Sequence, residues 1–206
     1  MDVIDFYRDE YEKKQFERKM LFARVQEKYK IQKALYPGSF VHITPSFYIP
    51  HVVYVDSFKK AEHFFTEKES VFHFIQENKV YSDIPKFIFI FADYGEKLAL
   101  DDEFFDLLIS QWAGPISHTC KRYLRHGGIL LANNSHADAG IAFLDPDYEL
   151  VAVGNHTQEK FTISEKNLHQ YFIPKQNKAV SITDLLESGK GIGYTKTAAY
   201  YLFRKT

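Results

Sequence analysis

Lys33-Ala-Leu-Tyr-Pro-Gly-Ser-Phe-Val-His42, Thr44-Pro-Ser-Phe-Tyr-Ile-Pro50 and His51-Val-Val-Tyr-Val-Asp56 are the stretches that decide the fold. Residues 31–36 read as a first strand that Pro37-Gly38 breaks, and Gly38 tolerates a backbone conformation or a close approach that a Cβ would block. Residues 52–55 are β-branched apart from Tyr54, as suits a strand buried on both faces, and Asp56 closes the run. Strand, glycine turn, crossover, strand and terminal acid read as the first half of a nucleotide-type βαβ unit. Pro45 and Pro50 lie in the crossover, and a proline inside a helix costs about 3 kcal/mol, so an irregular connection is expected there.

Further βα repeats follow. Ser57 is placed to cap a helix over 58–65, and Thr66 with Glu69 has capping-box spacing ahead of Val71, Phe72, Phe74 and Ile75. Residues 86–92 read as a third strand ending at Asp93-Tyr94-Gly95, and 105–110 as a fourth, followed by Gln111-Trp112-Ala113-Gly114. A helix is expected over 115–124, stopped by Gly127-Gly128, then a fifth strand over 129–133 that opens into Asn133-Asn-Ser-His-Ala-Asp138. A short helix or turn over 139–143 and a turn at Asp145-Pro-Asp147 lead to a sixth strand over 149–153. Residues 198–203 are the last strand, and no clear crossover helix precedes it, so an antiparallel terminal pair is expected.

Residues 155–195 are polar and read as an insertion, with short helices near 165–171 and 182–187. Residues 2–30 put Ile4, Tyr7, Tyr11, Met20, Phe22, Val25 and Tyr29 on a ragged apolar face, a helical cap that packs on the sheet or closes as a lid. The expected organisation is therefore an N-terminal extension over 1–30 and one domain over 31–206. The expected class is a Rossmann-like open α/β sheet, mostly parallel with an antiparallel C-terminal strand and helices on both faces.

A chain of 206 residues is long enough for a sizeable single core. The net charge of -1 supplies no strong positive field, so nucleic acid is not favoured as a partner and a small molecule is. Cys120 is the single cysteine, which excludes an internal disulfide framework and a cysteine-based metal cluster. The histidines show no His-x-x-x-His or His-Glu-x-x-His spacing, so no metal is implied. No Gly-x-Ser-x-Gly elbow or Walker loop occurs, which weighs against hydrolase and kinase chemistry. The acidic start lacks a signal peptide's basic and apolar regions, and no run approaches the roughly 18 apolar residues of a membrane span; a cytoplasmic protein is expected.

Ligands of an open parallel sheet bind at the carboxyl ends of its strands. Those ends carry Tyr36, Gly38 and Ser39, then Asp56, Ser57 and Phe58, then Asp93 and Tyr94, then Ser110, Gln111 and Trp112, then Asn133, Asn134, His136 and Asp138. A carboxylate after the second strand can accept both hydroxyls of a ribose, Asp93 can accept from an adenine amino group, and Tyr94 or Phe58 can stack on a base. The alternative for Asp56 and Asp93 is a turn or capping role.

This order of signals resembles that of the class I, Rossmann-like S-adenosylmethionine-dependent methyltransferases. The resemblance runs through Tyr36-Pro-Gly-Ser39, Asp56, Asp93, Phe105-Asp-Leu-Leu-Ile-Ser110, Leu124-Arg-His-Gly-Gly-Ile-Leu-Leu131 and the terminal pair of strands, over residues 30–205. It implies S-adenosyl-L-methionine as cofactor, held by Tyr36, Gly38, Ser39, Asp56, Ser57, Phe58, Asp93, Tyr94 and Ser110. The family usually carries more glycines than the one in this loop, so a degenerate glycine loop is expected. The amino-methyltransferase motif after the fourth strand is replaced by Ser110-Gln-Trp-Ala, which weighs against base N-methylation. Methyl transfer needs chiefly alignment, with a base where the acceptor must lose a proton. His136 is the candidate base, with Asp138 as partner and Asn133 beside it. Gln111, Trp112 and Asn134 are candidates to hold the acceptor. Two other functions stay open. One is a non-catalytic protein of this fold that binds a nucleotide-like metabolite or a protein partner. The other is an NAD(P)-dependent oxidoreductase, disfavoured by the single glycine.

Overall fold

The computed structural model describes residues 2–157, 160–176 and 179–206. Residues 158–159 and 177–178 of the expected insertion lie outside the described residues. The fold is Rossmann-like: a mixed sheet, largely parallel, with antiparallel C-terminal strands and flanking helices. It divides into two compact units, Met1–Leu98 and Ala99–Thr206.

In the first unit, β1 (Lys33–Pro37), β2 (His51–Asp56) and β3 (Lys86–Phe91) pair in parallel with β2 in the middle. The crossover from β1 to β2 contains one short 3-10 turn, Thr44–Phe47, with Pro45 near its start, so the regular helix is indeed missing where the prolines fall. The turn is buried, and Tyr54 of β2 anchors it. Its hydroxyl donates to the Ile43 carbonyl at 3.2 Å and takes the Ser46 hydroxyl at 2.6 Å.

Helix α1 (Val3–Tyr7) starts at Asp2, whose carboxylate accepts the Ile4 N–H at 3.0 Å, and runs on into a π-helical turn over Arg8–Glu12. Helix α2 (Lys19–Tyr29) follows. Tyr7, Leu21, Phe22 and Val25 are fully buried, so these N-terminal helices are docked. Helices α3 (Lys59–Thr66) and α4 (Lys68–Asn78) join β2 to β3. Two expected caps are corrected. Phe58, not Ser57, stands at the N-cap of α3, without a side-chain bond, because the Asp56 carboxylate takes the Phe58 N–H. Glu67 stands at the N-cap of α4, and the Thr66 hydroxyl turns back to the His63 carbonyl, so no capping box forms with Glu69. Val71, Phe74 and Ile75 are buried as expected, while Phe72 is half-buried.

In the second unit, β4 (Phe105–Ser110) pairs in parallel with β5 (Leu124–Ala132). The helix expected over 115–124 shrinks to α5 (Ile116–Thr119) and a 3-10 turn over Lys121–Tyr123, because the chain enters β5 at Leu124. Gly127 and Gly128 therefore do not stop a helix but lie inside a strand. Leu124 pairs with Phe105 and Ile129 with Leu107, so β5 takes up three extra residues in a bulge. Gly127 supplies the left-handed φ of 74° that a bulge needs. A Cβ at Gly128 would stand 2.8 Å from the Arg125 carbonyl oxygen and 2.6 Å from Leu124 Cδ1.

Helix α6 (Asp138–Leu144) precedes β6 (Tyr148–His156), and β8 (Tyr200–Lys205) runs antiparallel between β5 and β6. The expected antiparallel terminal pair is present. An unexpected strand, β7 (Phe161–Ser164), extends β6 by a hairpin. Within the insertion, α7 (Ile182–Ser188) matches expectation and starts with a capping box of Ser181 and Asp184, whereas the helix expected over 165–171 is one 3-10 turn, Leu168–Gln170. Leu185 of α7 packs on Ala137 and Ile141 of the α6 region.

Candidate functional site

The end of β1 is built around Asp56. Past Pro37 the chain turns at Gly38, whose φ of 63° is left-handed, and the Gly38 N–H donates to the Val55 carbonyl at 2.8 Å. Phe40 is left-handed too, with φ of 49°. Its N–H donates to Asp56 Oδ2 at 2.7 Å, while Asp56 Oδ1 accepts the Phe58 N–H at 2.8 Å. One carboxylate thus ties the loop after β1 to the turn after β2, and it is only 4% exposed. Ser39 is buried beside it, Ser57 is exposed, and Phe58 is exposed with its ring edge-on to Phe40 at 6.4 Å.

His42 secures the other side of this loop. Its Nε2 lies 3.0 Å from the Glu17 carbonyl, so Nε2 carries the proton and donates; Nδ1 is then the acceptor for the Tyr36 hydroxyl at 3.0 Å. Burial first, and then the Arg18 charge, push its pKa down to about 3, so the ring is neutral. Tyr11 stacks on it with centroids 4.5 Å apart. The Tyr7 hydroxyl bonds Thr44 at 2.8 Å and Glu17 at 2.9 Å. These contacts run from the N-terminal helices to the loop after β1, so the extension braces the candidate cofactor loop. At the end of β3, Asp93 is exposed and its Oδ1 accepts the Gly95 N–H at 2.8 Å, an Asx turn; Tyr94 is half-buried.

In the second unit, Asp138 is fully buried at the start of α6. The Ser110 hydroxyl donates to Oδ2, the Ser117 hydroxyl to Oδ1 at 2.5 Å, and the Ser117 N–H to Oδ1 at 3.0 Å. Desolvation raises its pKa to about 6, against the lowering effect of those bonds. Ser110 and Asp138 therefore lock β4 to α5 and α6. His136, two residues away, is exposed, and no hydrogen bond joins it to Asp138 among the described residues. The two side chains named together from sequence are parted because Asp138 begins a helix whose face turns inward.

Gln111 is 3% exposed, and neither Oε1 nor Nε2 has a partner among the described residues. Trp112 beside it is 55% exposed, with φ of 56°. Asn133 is buried and accepts the Ser135 N–H at 3.1 Å; Asn134 accepts the Gly140 N–H at 3.2 Å. Gly191 of the insertion lies against Asn134, since a Cβ there would be 2.8 Å from its Nδ2.

One feature of these strand ends is not readable from residue type. Phe40 after β1, Trp112 after β4, and His136 and Ala137 after β5 are left-handed without being glycine, with φ of 49°, 56°, 51° and 65°. Each costs on the order of 1–3 kcal/mol, and left-handed residues away from the strand ends, such as Gln15, Lys30 and Glu103, carry the same strain. Neither Phe40 nor Ala137 is a residue type that marks a left-handed backbone, so this conformation was not legible in the sequence.

The chain is thus a Rossmann-like α/β protein with strained strand ends and an acid fixed after β2. No protein-family model matches it, and neither does any curated protein. Solved structures to which it is similar include a methyltransferase from Geobacter sulfurreducens, at 13% identity and TM-score 0.48, over 73% of this chain and 82% of that one. Another is the N-methyltransferase NodS from Bradyrhizobium japonicum WM9, at 12% identity and TM-score 0.47, over 72% and 92%. A third is the [4+2]-cyclase SpnF, at 13% identity and TM-score 0.42, over 56% and 44%. The chain spans less than two thirds of the length of three of the first solved chains it matches, 55%, 44% and 55%. Identities this low describe a fold and not a reaction.

Proposed function

We propose that the chain binds S-adenosyl-L-methionine at the carboxyl ends of β1 and β2 and passes its methyl group to a small-molecule acceptor. Asp56 carries the reading. A carboxylate has about four acceptor positions. The Phe40 and Phe58 amides take two and hold the group in place, which leaves two for the paired hydroxyls of a ribose. Gly38 allows a close approach beside it. The cofactor, when bound, supplies the activated methyl group. The chain's own task is orientation. Within the second unit, Gln111, a buried amide whose polar atoms have no partner among the described residues, is assigned to hydrogen-bond a ligand, with Trp112 next to it in sequence. His136, exposed, is assigned as the base for an acceptor that must lose a proton. Asp138 is assigned a bracing role instead of a catalytic one.

A second reading has its own observation. The Phe40 ring stands edge-on to Phe6 at 5.8 Å and to Phe58 at 6.4 Å, so aromatic side chains already crowd the acid. That favours a non-catalytic member of the fold. Ligand protection separates the two. S-adenosylhomocysteine is expected to raise the melting temperature in a concentration-dependent way and NAD to leave it unchanged. No shift with either supports the non-catalytic reading.

A further inference from the structure

β3 is an edge strand whose described strand neighbour is β2. The N–H of Lys86 donates to the Pro50 carbonyl at 2.8 Å, and that of Ala92 to the Asp56 carbonyl at 3.2 Å. Even-numbered residues therefore turn their backbone groups toward β2. The strand's period of two sends the N–H and C=O groups of Phe87, Phe89 and Phe91 outward, where no described strand pairs with them.

Natural edge strands are usually blunted by charges, prolines or bulges. This one is Phe87-Ile-Phe-Ile-Phe91 without interruption, and Ile88 is 49% and Phe91 46% exposed. Beside it lies a groove of about 670 Å³ whose walls include Phe65, Phe72, Phe87 and Phe89.

We propose that β3 is the dimerisation edge of this protein and that a second copy of the chain pairs with it, antiparallel, about a two-fold axis at Phe89. The register follows from geometry. Across a two-fold normal to the sheet, opposed residues share a face, so their numbers have the same parity. Centring on Phe89 opposes Phe89 to itself and Phe87 to Phe91, and uses every outward N–H and C=O of the three residues. Moving the centre by one residue leaves one of the three unpaired in each copy.

The same register places the exposed Phe91 of the second copy beside Phe87, on the face where the groove opens. It sets Ile88 against Ile90. It also puts Lys86 opposite Ala92 of the second copy, at the ends of the paired segment. Hydrogen bonds and apolar contacts both complement the strand's own sequence, which is what a two-fold contact requires.

The experiment is sedimentation equilibrium of the full chain from about 1 to 100 μM. It is run for wild type and Ile88→Lys, each checked for folding by circular dichroism. It is paired with mild oxidation of Ile88→Cys/Ile90→Cys and of both single variants. A reversible wild-type dimer is expected, weakened at least about tenfold by the buried charge of Ile88→Lys. A disulfide-linked dimer is expected from the double variant only, since residues 88 and 90 oppose each other and neither opposes itself. Wild type that stays monomeric throughout overturns the proposal and turns the search to an extended segment of another protein. A dimer that Ile88→Lys leaves intact, or one that gives no disulfide in the double variant, overturns it as well.

Discussion

Replacing Asp138 by asparagine tests the brace between β4 and α6. The carboxyl is fully buried, and its pKa is raised from 3.8 to about 6. A carboxyl whose folded pKa lies above its unfolded one binds more protons when folded, between those two values. Stability from this group is therefore present below about pH 4 and is lost as pH rises to about 6. Two pKa units at 1.36 kcal/mol each set the loss at about 3 kcal/mol. Neighbouring Cys120, raised to about 11 by burial, and Tyr148, raised well above its ordinary value, stay protonated through that window. His42 acts in the opposite sense over part of the same range. The readout is thus the difference between wild type and Asp138→Asn, from urea unfolding at each pH from 4 to 7. Asp138→Asn is expected to gain about 3 kcal/mol relative to wild type across that range. A difference that stays flat with pH refutes the reasoning.

Three further outcomes follow from single contacts. His42→Gln removes a ring whose pKa is pushed down to about 3; the unfolded histidine takes up its proton near 6.5 and the folded one does not, so wild type should lose stability from pH 6.5 down toward 3 and the variant should lose less, in the same urea series. Tyr7→Phe deletes the hydroxyl shared by Thr44 and Glu17 and should cost about 1–3 kcal/mol by chemical denaturation. Gly128→Ala forces a Cβ against the Arg125 carbonyl inside the β5 bulge and should cost about 1–3 kcal/mol, read as a lowered melting temperature.

The strands were legible because their apolar runs end at glycine, proline or acid. β4 falls where its pattern puts it, and Asp56 ends β2 as read. The irregular crossover followed from Pro45 and Pro50, and α7 from its polar-to-apolar pattern. What sequence hid was tertiary in origin. Gly127-Gly128 looks like a helix stop but serves a bulge, because β5 begins five residues before Ile129 and must stay in register with β4. β7 is short and lies in a polar stretch, so only its pairing with β6 reveals it. Around the candidate site, residue type named Asp56, Gln111 and His136, but only coordinates show that the Asp56 carboxylate bridges two loops. The parting of His136 from Asp138 arises from the turn into α6, which short sequence spacing cannot express.

The central claim rests on Asp56 holding a ribose. Calorimetric titration of S-adenosylhomocysteine into wild type and Asp56→Asn, with the fold of each confirmed by circular dichroism, addresses it most directly. Asparagine keeps the size but only one acceptor oxygen, so one of the Phe40 and Phe58 amide bonds is lost along with the paired acceptors for the ribose. Saturable binding to wild type, weakened about tenfold or more in Asp56→Asn, is the predicted result. Absence of binding to folded wild type, or equal affinity in the variant, would contradict it.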